Sequence, residues 1–338
     1  MITTGMAEPD RSSAAIAVLG TGSYLPAQVV TNDEVGEPAG VDDAWIHGKT
    51  GIRYRRQAKP DEATSDLAVM AARAALESAG IRAADLSLIV VATSTPDSPQ
   101  PPTACVVADE LGVAPGTAAF DVNAVCSGFV FALTTAERIL HGSDGGYALV
   151  IGADVYSRIL NPADRRTAIL FGDGAGAVVL GPSRGGAVLA TRLASFGADR
   201  ELIEVPAGGS RLPASAETLE RGLHYFTMNG RGVRDFVAEH VPGAVREFLA
   251  DAGTTAAELA LFVPHQANGR MLENLAADLG VPADRTATTV EEFGNTGSAS
   301  VPVTLDAAAR SGALNPGDLV LLAGFGGGMA MGLALLRW

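Results

Sequence analysis

Cys126, His265 and Asn295 are the residues of this sequence whose types and settings best fit covalent chemistry. Each follows an apolar segment: Cys126 stands in DVNAVCSG, His265 in LFVPHQANGR and Asn295 in EEFGNTGSASVP. A cysteine can act as a nucleophile, and a histidine and an asparagine can assist it. Taken singly, the cysteine could be a small buried hydrophobe and the asparagine a turn residue. Together they predict a nucleophile with two polar assistants.

The position of Cys126, after a strand and at the start of a helix, suggests how its thiol is activated. The thiol would lie near the positive end of a helix dipole, among free backbone N–H groups. Because such a setting lowers the pKa of a thiol, we expect thiolate to be populated at Cys126 near neutral pH. The other cysteine, Cys105, lies inside the helical pattern TACVVADELG and is expected only to pack.

Alternating strand and helix patterns must position these residues. Segments such as DLSLIVVATS and YALVIGADVYS predict strands buried on both faces, and TSDLAVMAARAALESAG has helical spacing. The two halves end alike, with an apolar strand, a glycine-rich crossing and a second apolar strand. This predicts an α/β layered fold made of two duplicated halves, 15–185 and 186–338, after a flexible tail over 1–14.

Composition excludes several classes of function. The 338 residues carry a formal charge of −14, so no basic stripe is available for nucleic acid. Two cysteines make no disulfide framework and have no metal-ligand spacing, so we expect no metal site. No apolar run approaches the roughly 18 residues of a membrane helix, and the N-terminus does not look like a secretory signal. We therefore expect a globular cytoplasmic protein without a membrane partner.

The ordered motifs resemble those of β-ketoacyl-acyl-carrier-protein synthase III, a condensing enzyme of the thiolase superfamily. The resemblance covers nearly the whole chain, from GTGSYLPAQVVTNDEV through DDAWIHGKTGIRYR, DVNAVCSGFVFAL, ILFGDGAGAVVLG, VPHQANGRM and GNTGSASVP to GFGGGMAMG. It implies a five-layer α-β-α-β-α fold and a homodimer. It also implies that Cys126, His265 and Asn295 form the catalytic set.

The implied reaction is a decarboxylative Claisen condensation through an acyl-Cys126 intermediate. An acyl-CoA would load the thiol, and malonyl-acyl-carrier-protein would supply the attacking enolate to give a β-ketoacyl-acyl-carrier-protein. The family pattern places an oxyanion-binding N–H at Gly327 and an aromatic residue, Phe325, beside the cysteine. CoA and carrier-protein thioesters serve as substrates, and no cofactor is expected.

By the same resemblance, several residues would contact CoA or the carrier protein. Trp45 matches a tryptophan that stacks on adenine, and Lys49 stands where an arginine is usual, which keeps the charge but loses the planar fork. Arg165 and Arg270 match basic residues near phosphates, and Asn268 matches a contact in the pantetheine tunnel.

The primer side departs from the family pattern. Gln100, in DSPQPPTAC, replaces a common aromatic residue, and the loop GGGMAMG lacks a frequent tryptophan. With Gln100 and Met228 assigned to the acyl pocket, we expect a pocket unlike that for acetyl, longer or more polar. This favours polyketide or other secondary metabolism over fatty-acid synthesis.

Other functions stay open at this point. Relatives of this family include acyltransferases that pass the acyl group to another acceptor without condensation. The glycine motifs could indicate a dinucleotide-binding oxidoreductase, although GTGSYL lacks the third glycine and GDGAGAVVLG runs into a strand-like stretch. A catalytically inactive scaffold is a third possibility, but such a protein should have lost the cysteine.

Overall fold

The computed structural model describes residues 2–4, 15–143 and 145–338. The described strands, β1 to β14 in chain order, are Ile2–Thr4, Ala15–Tyr24, Gln28–Thr31, Tyr54–Gln57, Leu86–Ala92, Ala118–Val122, Tyr147–Asp154, Gly174–Ser183, Ala187–Ser195, Ile203–Glu204, Thr227–Met228, Leu261–Pro264, Leu319–Gly326 and Ala330–Arg337. The described helices, α1 to α10, are Asn32–Ala39, Asp43–Thr50, Thr64–Ala79, Thr103–Leu111, Gly128–His141, Ala216–Glu220, Gly230–Asp251, Gly269–Leu279, Val290–Phe293 and Ser300–Arg310.

Most of the predicted flexible tail lies outside the described residues. Its described part, Ile2–Thr4, is strand β1, which pairs antiparallel with β9. None of the helices in the described part of the chain has the length and apolar character needed to cross a membrane.

Two five-stranded sheets carry the fold. The first has the order β2-β8-β7-β5-β6 and the second the order β1-β9-β14-β13-β12. The chain leaves the first sheet at Ser183 and enters the second at Ala187, so the expected boundary near residue 185 falls in the turn between them.

The two sheets repeat one pattern of strand directions. In the first, β2, β8 and β7 are antiparallel neighbours, and β5 and then β6 follow in parallel. In the second, β9, β14 and β13 are antiparallel neighbours, and β12 follows in parallel. A single parallel bridge between Phe262 and Thr286 stands where β6 stands in the first half. The backbone is therefore a structural duplication.

Three apolar cores separate the layers. Helices α3 and α4 pack on the outer face of the first sheet, and α7 packs on the outer face of the second beside α8. Helices α5 and α10 lie between the sheets and contact both of them. Most of the surface of α5 is buried, including Phe129, Leu133 and Leu140, because both sheets cover it. The five-layer α-β-α-β-α fold is confirmed.

The middle helices position two of the candidate residues at equivalent places. A 3-10 turn, Val125–Ser127, leads into α5, and a second 3-10 turn, Gly297–Ala299, leads into α10. The two turns touch each other. Cys126 lies in the first turn and Asn295 just before the second, so the duplication itself brings them together at the middle of the molecule.

Candidate active site

One cavity of about 370 Å³ brings the three candidate residues together. Cys126, His265 and Asn295 all line it, although they come from three separate parts of the chain. The rest of its wall is mainly apolar and includes Ile169, Leu170, Phe171, Ile203, Phe226, Met228, Val233, Val237, Met271 and Phe325. A nucleophile and two polar groups in an apolar cavity fit the predicted catalytic set.

Backbone geometry holds Cys126 against the loop that joins β13 and β14. Val125 adopts a positive φ of 47°, which is uncommon for a β-branched residue and turns the chain sharply before the cysteine. A side chain at Gly326 would place its Cβ 2.6 Å from the Cβ of Cys126. The glycines of GFGGG therefore let this loop approach the thiol.

The thiol of Cys126 differs from expectation in its acidity. Burial, reinforced by the carboxylate of Asp154, raises its pKa to about 12. Hydrogen bonds from the backbone N–H groups of Cys126 and Gly327 and from the Tyr156 hydroxyl act in the opposite direction but are outweighed. The expectation of a lowered pKa is wrong, because the helix start lies at the centre of the molecule and not at its surface.

His265 follows β12 and is held on both its backbone and its ring. Its backbone N–H donates to the carbonyl of Ala323 at 2.7 Å, and its Nδ1 lies 2.7 Å from the hydroxyl of Ser300. Burial lowers the pKa of His265 to about 3, so the ring is neutral at physiological pH. The ring meets that of Phe325 edge to face, with centroids 5.5 Å apart.

Asn295 is fixed so that its amide nitrogen faces the cavity. Its Oδ1 accepts the backbone N–H of Gly297 at 2.9 Å, which leaves the NH₂ group as the end that lines the cavity. Its backbone N–H donates to Leu170 at 2.8 Å, and its carbonyl accepts from Gly172 at 3.0 Å. Asn295 therefore offers a hydrogen-bond donor beside the thiol.

Comparison with known proteins identifies the family. Residues 120–197 match the model described as 3-oxoacyl-[acyl-carrier-protein (ACP)] synthase III, and residues 249–338 match that of its C-terminal part. The chain is 43% identical to the β-ketoacyl-[acyl-carrier-protein] synthase III of Clostridioides difficile (strain 630), over 95% of this chain and 98% of the relative. The chain belongs to the β-ketoacyl-acyl-carrier-protein synthase III family.

Two further relatives of this chain are informative. It is 60% identical, over 95% of its length and 98% of the relative, to the acetoacetyl CoA synthase NphT7 of Streptomyces sp. (strain CL190). The crystal structure of the synthase III of Pseudomonas aeruginosa PAO1 superposes with a TM-score of 0.88 at 39% identity, covering 96% of this chain and 98% of that one. The dinucleotide-binding alternative is wrong, since GAGAVVLG belongs to strand β8 and opens no helix.

Four of the residues predicted to contact CoA line the cavity that contains Cys126. Trp45, Lys49, Arg165 and Asn268 line it, and the Arg165 guanidinium lies 5.9 Å from the centroid of the Trp45 ring. Asn268 also caps α8 by accepting the N–H groups of residues 270 and 271. Arg270 lines an adjoining cavity of about 410 Å³ that shares Lys49 and Asn268 with the first.

Of the two residues that were predicted to line the acyl pocket, only one lies at the cavity. Met228 lines the cavity that contains Cys126. Gln100 does not line it, because it is exposed in the loop before α4, where its carbonyl accepts from the Ser98 hydroxyl at 2.8 Å. Within a single chain, therefore, Gln100 has no contact with the acyl site.

The sequence analysis did not identify Asp154 and Tyr156, two buried polar residues at the end of β7 and just after it. Asp154 ends β7 and is fully buried, and Tyr156 follows it two residues later. Tyr156 stacks on Phe171 with centroids 4.4 Å apart, and both meet Phe226 edge to face. The one available signal was the sequence IGADVY, which places a carboxylate at the end of an apolar strand.

Proposed function

We propose that this synthase III chain condenses an acetyl group, carried on Cys126, with the enolate of malonyl-CoA to give acetoacetyl-CoA. The observation that carries the proposal is the single cavity lined by Cys126, His265 and Asn295, with a mainly apolar wall that includes Phe171 and Phe226. The 60% identical relative named acetoacetyl CoA synthase supports the choice of product.

In the first step, the sulfur of Cys126 attacks the thioester carbonyl of the acyl-CoA. Negative charge develops on the carbonyl oxygen, and the backbone N–H groups of Cys126 and Gly327 are the donors suited to stabilise it. Collapse of the tetrahedral intermediate breaks the bond to the CoA sulfur and leaves an acyl thioester on the enzyme, and CoA leaves with a proton in place of the one that the Cys126 thiol lost.

In the second step, a malonyl thioester loses CO₂ and forms an enolate. We assign the Ser300 hydroxyl as the donor to Nδ1 of His265, 2.7 Å away, which places the ring proton on Nε2, where it can be donated to the enolate oxygen. The amide nitrogen of Asn295 provides the second donor. The enolate carbon then attacks the acyl group, and Cys126 leaves. The apolar ring of Phe325 favours neutral CO₂ over the carboxylate.

The aromatic residues at the cavity favour a short acyl group as the primer. Tyr156 is buried and is stacked against Phe171, which lines the cavity. We infer that these rings limit the length of an acyl chain on Cys126. The proposal therefore replaces the longer or more polar acyl pocket that the sequence suggested.

The residues at the opening of the cavity favour CoA as the carrier of the malonyl group. Trp45 and Arg165 present a ring and a guanidinium suited to an adenine and a phosphate. Several other basic side chains at or near the mouth are already paired with acids of this chain: Arg166 with Asp164, Arg234 with Asp235 and Arg270 with Glu273. An acidic carrier protein would have to compete with these ion pairs.

Malonyl-acyl-carrier-protein stays the second candidate acceptor. It is favoured by the relatives at 43% identity, which are named β-ketoacyl-[acyl-carrier-protein] synthase III. In that case the product would be a β-ketoacyl-acyl-carrier-protein, as the motifs suggested.

Product analysis with the two acceptors side by side tests the proposal. The enzyme is given an equimolar mixture of acetyl-, butyryl-, hexanoyl- and octanoyl-CoA with either malonyl-CoA or malonyl-acyl-carrier-protein. We expect acetoacetyl-CoA as the main product. Faster turnover of the carrier-protein thioester would favour the second candidate. Acylation of Cys126 without CO₂ release from either acceptor would instead indicate an acyltransferase that uses another nucleophile.

A further inference from the structure

The 3-10 turn that carries Cys126 meets the loop between β13 and β14. Cys126 itself lies against Gly326, because a Cβ added there would stand 3.1 Å from the sulfur. The next residue, Ser127, donates its hydroxyl hydrogen to the carbonyl of Ala330 at 2.8 Å. The residue before the cysteine, Val125, also touches this loop, and no step of the proposed mechanism uses it.

Val125 packs on the α-carbon of Gly327. A Cβ built on Gly327 would lie 3.2 Å from both methyl carbons of Val125 and 3.2 Å from Cγ2 of Ile203. Contacts of this length are tighter than most Cβ contacts in proteins, so these methyl groups already fill the place where a side chain would begin. They limit the movement of Gly327 in that direction, as Cys126 limits that of Gly326. The loop is therefore held in one position relative to the thiol.

Val125 makes this contact from a strained backbone conformation. Its φ of 47° lies in the left-handed region, which residues with a side chain avoid and β-branched residues avoid most. Among the described residues, no other residue except glycine has a positive φ. The N–H of Val125 donates to Asn123 Oδ1 at 3.2 Å, and the N–H of Ser127 donates to the carbonyl of Ala124 at 3.0 Å, which hold the turn in this shape. The chain therefore keeps a valine where glycine would fit at little cost.

Core packing alone does not account for a valine at this position. Val125 is only half-buried, whereas Phe129 and Val130 on the helix that follows are fully buried. Strained backbone conformations cluster at functional sites, where the surrounding structure fixes them. What a valine adds here, and a glycine would lack, is the contact with Gly327.

We propose that Val125 is a positioning residue, whose side chain holds Gly327 so that the N–H of this glycine faces the thioester carbonyl on Cys126. The inference rests on the proposed function, in which this N–H stabilises the negative charge that develops on the carbonyl oxygen. That charge appears twice, when Cys126 attacks the acyl-CoA and when the enolate attacks the acyl-enzyme. Val125 therefore acts in both steps, although it does not line the cavity.

Acylation and alkylation of Cys126 distinguish this role from an effect on the thiol itself. Acylation passes through an oxyanion, whereas the displacement of iodide from iodoacetamide forms none. A variant in which only Gly327 has shifted should therefore lose acylation and keep alkylation. A variant in which the thiol has shifted should lose both.

The test compares Val125→Ala with the unchanged enzyme. The single-turnover rate of Cys126 acylation is measured with acetyl-CoA and with 4-nitrophenyl acetate, an activated ester that needs no CoA site. We expect both acylation rates to fall about 10-fold, less than the loss on removing an oxyanion donor outright, and the rate of alkylation by iodoacetamide to stay within about twofold. The acetyl-CoA concentration that gives half the maximal rate should not change, because Val125 lies outside the cavity.

Two further variants control for side-chain shape and for stability. Val125→Thr keeps both branches at Cβ and should acylate at close to the normal rate. Val130→Ala removes buried methyl groups that pack on Gly332 of the same strand pair, so it should lower the urea midpoint and leave the acylation rates of the folded enzyme unchanged. Val125→Ala should show the reverse pattern, slow acylation with an undiminished urea midpoint, since it relieves strain at a half-buried position.

Acylation of Val125→Ala at the normal rate would overturn the proposal. Equal losses of acylation and alkylation would also overturn it, because they would assign Val125 to placing the thiol. The same acylation loss in Val130→Ala, or in Val125→Thr, would do so too. If the unchanged enzyme reacts with 4-nitrophenyl acetate but not with acetyl-CoA, the proposed function fails and the ester alone decides the role of Val125. Acylation by neither compound would contradict both.

Discussion

At the scale of single residues, the proposed mechanism gives Asn295 and Cys126 separate tasks. Cys126 would form the acyl-enzyme, whereas the amide nitrogen of Asn295 would meet the enolate oxygen, which exists only in the second step. We expect Asn295→Ala to keep acetyl loading within a few-fold and to lower CO₂ release from malonyl-CoA about 100-fold or more, since one donor to a developing oxyanion has about that effect.

Intact mass spectrometry for loading and a coupled assay for CO₂ measure the two steps of the Asn295→Ala variant separately. Cys126→Ala is the control, because it should abolish loading. Equal losses in loading and decarboxylation by Asn295→Ala would contradict the separation of tasks.

The positions of these residues could be predicted from the local sequence, whereas the acidity of Cys126 could not. Cys126, His265 and Asn295 each end an apolar segment, and in an α/β fold such ends converge, so local pattern was enough to find them. The acidity of Cys126 was not predictable in this way. It depends on burial between two sheets and on Asp154, and neither depth nor a neighbour 28 residues away is visible in a local pattern.

At the scale of elements, Arg55 on β4 forms hydrogen bonds to the segment that includes Ile169 and Leu170, which in turn contacts the backbone of Asn295. The side chain of Arg55 is fully buried, and it donates to the Asn32 side chain and to the carbonyl of Ile169, both at 2.8 Å. Burial lowers the pKa of Arg55 to about 10, so it stays charged at neutral pH. The adjoining carbonyl of Leu170 accepts the backbone N–H of Asn295.

Replacing Arg55 should therefore destabilise the fold. We expect Arg55→Met to lower the free energy of unfolding by about 3 kcal/mol, because it leaves two buried acceptors without a donor. Urea denaturation measures the change. The control is Arg53→Met, which removes an exposed ion pair with Glu291 and should change stability by less than about 1 kcal/mol. Similar midpoints for the two variants would contradict a buried structural role for Arg55.

The order of elements was largely predictable, whereas their pairing was not. Alternating apolar strands and amphipathic helices indicated α/β layers, and the glycine-rich crossing near residue 327 indicated a strand pair that is now β13 and β14. The sequence does not show that α5 and α10 lie between the sheets, because both halves supply the partners that bury them. The loop with Gln100 was assigned by analogy, and in one chain it lies at the surface.

At the scale of the whole molecule, β6 presents an open sheet edge. It is an outer strand of the first sheet, and its sequence AAFDV is mostly apolar. An open apolar edge can pair with the same edge of a second copy around a twofold axis. We therefore retain the predicted homodimer as a proposal and expect light scattering to give twice the mass of one chain.

The variant Ala118→Lys tests this edge, because Ala118 is exposed on β6 and a lysine there would place a charge in the paired edge. We expect it to weaken the dimer. The control is Ala257→Lys, at an exposed position after α7, which should leave the mass unchanged. A chain that runs as a monomer before any substitution would contradict the proposal. The predicted cytoplasmic location stays a prediction.

The central claim, that Cys126 carries a short acyl group on its way to a condensation product, is tested most directly by peptide mass spectrometry. The enzyme is exposed to acetyl-CoA, digested and compared before and after addition of malonyl-CoA. We expect an acetyl mass on the peptide containing Cys126, its disappearance when malonyl-CoA is added, and the appearance of acetoacetyl-CoA with CO₂. An acetyl group that stays on Cys126, or one that appears on another residue, would contradict the account.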